Sequence, residues 1–233
     1  MLMGCLLVPG LGNSGMEKTN NIEVWGIGTL RCMRVHWVLQ EFNLKYLVHP
    51  IKTRTGQANT EEYRKINPRE KIPTLIHDSF VITESAAIVS YIADKFSPPA
   101  NFYVPTNKDE QARILEWNFF VMTELDATAL YVIRRHEGLP HIYGKSETAV
   151  IAAKEYFQKQ ISAMVPELLK TSGGFLCGNQ FSIADIIMTT TLDGATNYGI
   201  SLPPLWVEYL ESMVKRPGYE KAFEITYPDG KQV

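Results

Sequence analysis

Along its first part the chain alternates short extended apolar runs with helical spacing, and along the rest it keeps to helical spacing alone. Residues 22–27 read as a strand, and Gly28-Thr29-Leu30-Arg31 turns that strand into a helix. In this helix Val35, Val38, Leu39 and Phe42 fall at i, i+3, i+4 and i+7, which predicts one apolar stripe. Residues 45–52 form a second extended run, and 60–66 a short helix ended by Pro68. Residues 74–76 and 80–82 are β-rich and separated by His77-Asp78-Ser79, a hairpin pattern. Proline cannot donate to a ladder, so Pro73 belongs at the strand start, where its preceding bond can be cis and the Ile72 backbone is left to pair elsewhere. After the hairpin, Glu84-Ser85 precedes Ala86, Ala87, Ile88, Tyr91 and Ile92 at helical spacing. The order βαβαββα favours a parallel strand pair with a right-handed crossover, extended by antiparallel strands.

Three prolines, Pro98, Pro99 and Pro105, then interrupt regular structure and mark residues 98–106 as a linker. Helical patterns follow over 108–137, 146–171, 183–197 and 204–216, with Pro166 expected to kink the second. Ser182 and Asp185 have the spacing of a helix cap and its third-position partner, and Phe181 and Ile186 that of a hydrophobic staple. Arg216-Pro217-Gly218-Tyr219 stops the last long helix. The expected division is an extension at 1–21, an α/β domain at 22–97, the linker, and an all-helical domain at 107–233.

Composition narrows the partners. A chain of 233 residues that is 45% hydrophobic can bury a sizeable core, in one large domain or two modest ones. A net charge of −2, from 23 basic and 25 acidic residues, gives no footprint for nucleic acid or an anionic membrane. Cys5, Cys32 and Cys177 are scattered and odd in number, which argues for a reducing, cytoplasmic compartment. Neither they nor the five histidines show metal-ligand spacing. The apolar run near the start lacks a basic flank, so it is not read as a signal peptide, and Met16 is an alternative start. No run reaches the roughly 18 apolar residues of a membrane span.

The chemistry concentrates in 67–85. Glu84 and Ser85 put a carboxylate, a hydroxyl and unpaired helical N–H groups at one helix start, a site for a ligand carrying an ammonium and a carboxylate together. Lys71-Ile72-Pro73-Thr74-Leu75, the hairpin, and then Glu84-Ser85 resemble, in order, the glutathione-binding half of the cytosolic glutathione S-transferases. The Ser182 to Asp185 box and the segment at Arg216 also resemble that family's second domain, so the likeness spans about 22–223. The resemblance implies a thioredoxin-like βαβαββα domain followed by an all-α domain, glutathione as cosubstrate without a metal, small electrophiles as second substrates, a detoxifying role, and a homodimer. It implies that Lys71 meets the glycine carboxylate, that Gln57 and Arg31 contact the tripeptide, and that Ile72, Pro73, Glu84 and Ser85 hold its backbone and γ-glutamyl end.

Thr29 matches the position of the family's catalytic serine or cysteine, at the end of the first strand, where the next helix presents its positive end. Its hydroxyl can donate to a thiolate. Bringing a thiol of pKa about 8.5 to near 7 takes roughly 2 kcal/mol, and one charge-assisted hydrogen bond supplies about 1.5 to 3 kcal/mol. A plain helix cap is the other role open to Thr29. Many members sharing the Arg31-x-x-Arg34-Val35 text have serine where Leu30 stands, a departure that leaves Arg31 as a second source of stabilising charge. Cys32 has Cys-x-x-Cys spacing with the first member replaced by Thr29, which reads as a buried helix residue. Trp117 and Phe120, with Phe119 and Met122, are candidates for the electrophile pocket. Gly26-x-Gly28 lacks the third glycine of a dinucleotide fingerprint. Three other activities remain open on the same fold: a non-catalytic binding or assembly module, glutathione-dependent reduction of disulfides or peroxides, and glutathione-dependent dehalogenation or isomerisation.

Overall fold

The computed structural model describes residues 21–230, apart from 172 and 178. The extension expected at the chain start lies, but for Asn21, outside them. Strand β1 (Ile22–Trp25) leads into helix α1 (Leu30–Glu41), followed by β2 (Leu47–His49), a short 3₁₀ turn (Gln57–Asn59) and α2 (Glu61–Ile66). Strands β3 (Thr74–His77) and β4 (Phe80–Thr83) make the hairpin, and α3 (Ser85–Lys95) follows directly. The four-stranded sheet has the order β2-β1-β3-β4. Its β1–β2 pair is parallel and its other pairs are antiparallel, as the element order requires. Only three residues of the second extended run are in β2, and the hairpin closes with His77 opposite Phe80.

Helix α1 departs from its expected single stripe. Every residue from Cys32 to Leu39 is buried, Arg34 and His36 included. The cause is its position: α3, α9 (Ile183–Asn197) and α11 (Pro217–Thr226) all pack on it, and Ile22, Val24 and Leu75 of the sheet share its core. A helix enclosed on all sides must satisfy its polar groups internally. His36 does so with Nε2 at 3.0 Å from the Gly26 carbonyl and Nδ1 at 3.1 Å from the Tyr46 hydroxyl. Burial lowers its pKa to about 4.

Beyond the linker, α4 (Lys108–Phe119) runs on through wide π turns (Phe120–Leu130), a single α turn, α5 (Tyr131–Ile133), and further π turns (Arg134–Gly138). The continuous helix expected at 108–137 is therefore present but over-wide along its second half; such turns often lie at functional sites. A short α6 (Pro140–Tyr143) was not foreseen. The helix expected at 146–171 is split into α7 (Glu147–Ala163) and α8 (Val165–Leu169), with Met164 between them. Pro166 is the reason, because it has no N–H to offer the preceding turn. Helix α10 (Pro204–Met213) ends at Met213, short of the expected 216, and Pro217 then opens α11, an element the sequence reading missed.

Ser182 caps α9 in a reciprocal box with Asp185. The Asp185 carboxylate also accepts from the Leu176 N–H (2.9 Å) and the Tyr209 hydroxyl (2.8 Å). Burial outweighs these donors and raises its pKa above the usual carboxylate value. Phe181 and Ile186 are both fully buried in the main core, the former against Trp37, Phe102 and Phe175. The proline-rich segment 98–106 is fastened to the same corner, with the Tyr103 N–H donating to the Phe181 carbonyl at 2.7 Å.

Candidate active site

The end of β1 and the turn before β3 are pressed together. Gly26 has φ +125°, and a Cβ there would stand 2.7 Å from the Ile72 Cβ. Glycine is needed for both reasons. Ile72 is joined to Pro73 by a cis peptide and precedes the first β3 ladder pair, Trp25 opposite Thr74. Its backbone thus stands at the sheet margin, as the proline implied. The turn is fixed from behind: the Lys71 carbonyl accepts from the Tyr63 hydroxyl (2.6 Å) and from Asn67 Nδ2 (2.8 Å). The Lys71 side chain is exposed.

Glu84 caps α3 at φ +69°, ψ +115°, with its carboxylate 3.0 Å from Arg69 Nη1. Ser85 behind it is almost wholly buried, its Oγ accepting from Arg34 Nη1 at 3.2 Å. Arg34 is the hub of the site floor. Its Nη2 donates to Asp126 Oδ2 (3.0 Å) and Thr191 Oγ1 (2.8 Å), and its Nε donates to Thr190 Oγ1 (2.9 Å). One guanidinium from α1 therefore ties the start of α3 to the wide helical turns and to α9. Burial, opposed by Asp126, lowers its pKa from the ordinary arginine value.

Thr29 sits at the N-cap of α1, half-buried. Its Oγ1 accepts from the Cys32 N–H and donates to the Cys32 Sγ, both at 3.1 Å. The capping role is thus realised, while the hydroxyl proton rests on a weak sulfur acceptor. Cys32 itself is fully buried, and burial raises its thiol pKa to about 12 despite the Thr29 hydrogen bond. Arg31 is not a freely exposed charge, since its Nη2 lies 2.5 Å from Asp126 Oδ1. Gln57 braces its own loop by accepting from the Lys52 N–H and the Thr55 hydroxyl, both at 2.9 Å.

A cleft of about 350 Å³ opens beside Thr29, between the two halves of the chain. Leu30, Leu130, Tyr131, Leu139, Tyr198 and Tyr227 supply its apolar walls. Trp117 and Phe120 are not among its lining residues. Trp117 is buried in the main core and Phe120 packs edge-on against it at 6.0 Å. Their helical spacing signalled core, and the cleft begins further along the same helical run. The far wall comes from parts the sequence reading missed. Gly28 N–H donates to the Thr226 carbonyl at 2.8 Å, and Lys52 pairs with Asp229 at 2.7 Å, which brings the end of α11 over the site. The one available signal was Pro217, which marks a helix start as readily as a stop.

These features define a class: an α/β domain with a parallel–antiparallel sheet and a cis-proline, a helical domain behind it, and a cleft at the first helix N-terminus between them. Two family models match, "Glutathione S-transferase, N-terminal domain" over residues 20–94 and "Glutathione S-transferase, C-terminal domain" over residues 120–217. The chain belongs to the glutathione S-transferase family. Among relatives, glutathione S-transferase A of Pleuronectes platessa is 28% identical over 212 residues, covering 90% of this chain and 93% of its own. Glutathione S-transferase theta-1 of Mus musculus is 23% identical, covering 83% of each. A glutathione transferase of Phanerochaete chrysosporium, solved in complex with oxidized glutathione, superposes with a TM-score of 0.78 at 21% identity, covering 91% of this chain and 99% of its own. Among the described residues no helix is long and apolar enough to cross a membrane, and no group of histidine, cysteine and carboxylate side chains could hold a metal ion.

Proposed function

We propose that the protein is a glutathione transferase that ionises the thiol of glutathione and directs it at a small electrophile held in the cleft. The observation that carries this reading is a chain of contacts through α1: the Thr29 hydroxyl lies 3.1 Å from Cys32 Sγ, Cys32 shares a buried cluster with Ile72, and Arg34 donates at 3.2 Å to Ser85 at the start of α3, next to Glu84. Glu84 meets the ammonium of the γ-glutamyl end, and the first N–H groups of α3 meet its carboxylate. Ile72 pairs with the tripeptide backbone next to the cis-proline, and Lys71 and Gln57 face its glycine end. This lays the sulfur beside Thr29, whose proton turns from the Cys32 sulfur to the thiolate. The α1 N–H groups of Leu30 and Arg31, which no helical carbonyl can reach, add to that stabilisation. Attack then needs only position and ionisation.

The division into 22–97 and 107–233 about a linker belongs to the same reading, as do a homodimer and a cytoplasmic setting. Reduction of disulfides through the protein's own Cys32 is disfavoured, because that thiol is buried and raised to about 12. Titration calorimetry with glutathione tests the reading. Binding is expected in the wild type and about tenfold weaker in Glu84→Ala, which loses one exposed charge-assisted contact. Folded wild-type protein that takes up no glutathione overturns it.

A further inference from the structure

The cleft carries more positive charge than its own carboxylates neutralise. Arg31, Lys52, Arg54 and Arg134 line it, against Asp126 and Asp229. Asp126 is occupied by Arg31 and Arg34, at 2.5 and 3.0 Å, and Asp229 by Lys52 at 2.7 Å. Arg54 and Arg134 remain. Arg54 stands on the loop between β2 and α2, exposed, at φ +61°. Arg134 opens the second set of wide turns across the cleft and is half-buried. Among the described residues neither guanidinium has a hydrogen bond or an ion pair.

A partly desolvated cation without a counter-charge is costly, and the cost is relieved when an anion arrives. Burial lowers the Arg134 pKa, and the nearby charges of Arg54 and Arg31 lower it further. The same field acts on a neighbour. Burial pushes the Tyr131 phenol up, but a hydrogen bond from Arg135 and the charges of Lys71, Arg135 and Arg31 outweigh it and hold the phenol below its ordinary pKa. Both groups report a positive region that favours negative charge. Leu130 and Leu139 stand by to cover an apolar body. A planar guanidinium receives a carboxylate through two parallel N–H···O bonds, which fixes orientation as well as affinity.

We propose that Arg134, with Arg54 facing it across the cleft, is an anion subsite that binds a carboxylate on the second substrate, so the electrophiles this enzyme prefers are carboxylated rather than neutral. The inference deepens the function proposed above and rests on it. It adds no chemical step: the subsite anchors one end of the electrophile while the reacting carbon faces the thiolate beside Thr29.

The test uses pairs of aryl halides that differ only in carrying a carboxylate or the corresponding carboxamide. The ratio of kcat/KM, acid over amide, is expected to exceed tenfold in the wild type and to fall about tenfold in Arg134→Gln, with a smaller fall in Arg54→Gln and partial recovery in Arg134→Lys. A ratio untouched by Arg134→Gln overturns the proposal. A rise in the KM for glutathione that matches the loss on the acid also overturns it, because the pair would then be holding glutathione's own carboxylate. A readout without turnover is calorimetric binding of a nitrobenzoate against the matching nitrobenzamide. Tighter binding of the acid, lost in Arg134→Gln, supports the subsite, and equal binding of the two overturns it. Glutathione calorimetry on the same protein reports separately on the underlying reading.

Discussion

At the scale of single residues, the site rests on two buried polar groups in α1. Arg34 gives its guanidinium to Asp126, Ser85, Thr190 and Thr191, so removing the only carboxylate in that set strands a charge in the interior. Breaking one partner of a buried pair costs about 3–5 kcal/mol. Asp126→Ala is expected to lose that much in denaturant unfolding, and a loss below about 1 kcal/mol would show that the pair is not a strut. His36 makes a pH prediction. Its pKa is about 4 in the folded protein against 6.5 for the free group, so the unfolded chain binds the proton first. Stability held by neutral His36 is intact above about pH 6.5 and drains away as the pH falls towards about 4, by about 3 kcal/mol in all. Unfolding curves at a series of pH values should show this slope in the wild type and its loss in His36→Gln. Equal slopes in both would assign the acid sensitivity elsewhere. Beyond the place of Arg34 in the Arg31-x-x-Arg34-Val35 text, neither residue was legible in the sequence as more than a position on a helix. Burial on every side of α1 needs α9 and α11 in addition to the sheet and α3, and no periodicity within α1 could announce that.

At the scale of elements, the legible features were those fixed by local covalent rules. Pro73, the hairpin around Asp78, the break at Pro166 and the Ser182 to Asp185 cap each follow from a residue type whose backbone or side chain has few options. Ser182→Ala removes the hydroxyl that donates to Asp185 at 2.7 Å. It should destabilise by about 1 to 2 kcal/mol; an unchanged denaturation midpoint would mean the Leu176 and Tyr209 donors suffice. The features that were not legible depend on distant partners. The wide turns after Phe119 and the docking of α11 on α1 are set by packing between elements far apart in sequence. That is why helical spacing alone offers Trp117 and Phe120 as pocket candidates, while Tyr131, Arg134, Tyr198 and Tyr227, which line the cleft, carry no local signal. Arg216 shows the same limit. It ends α10's connection as a local reading suggests, yet its guanidinium also reaches Glu41 of α1 at 2.8 Å and lies 3.8 Å from the Phe181 ring centroid, binding the two halves together.

At the scale of the molecule, large apolar side chains stand in water on β4 and α4. Phe80 is 48% exposed, Leu115 49% and Phe119 65%. Exposed phenylalanines of this kind are what a subunit interface would cover. With the homodimer proposed here, sedimentation should give twice the mass of one chain, and Phe119→Glu should shift the protein towards monomer. A wild-type monomer at all concentrations would contradict that part of the account. The order of the first domain was readable because its strands, hairpin and cis-proline turn follow from continuous text, Lys71 to Ser85 included. The cleft beside Thr29 was not, because its walls come from the α1 start, the β2–α2 loop, the wide turns, α9 and the segment after α11, which only the folded chain brings together.

The central claim is that the α1 N-terminus, with the Thr29 hydroxyl, ionises a thiol laid beside it. Its most direct test is the titration of the glutathione thiol by thiolate absorbance in the bound complex, wild type against Thr29→Ala and Thr29→Ser. The account predicts a thiol pKa about one to two units below the free value of about 8.5, largely restored to the free value in Thr29→Ala and kept low in Thr29→Ser. A bound thiol that titrates like free glutathione in the wild type, or a low value untouched by Thr29→Ala, would contradict it.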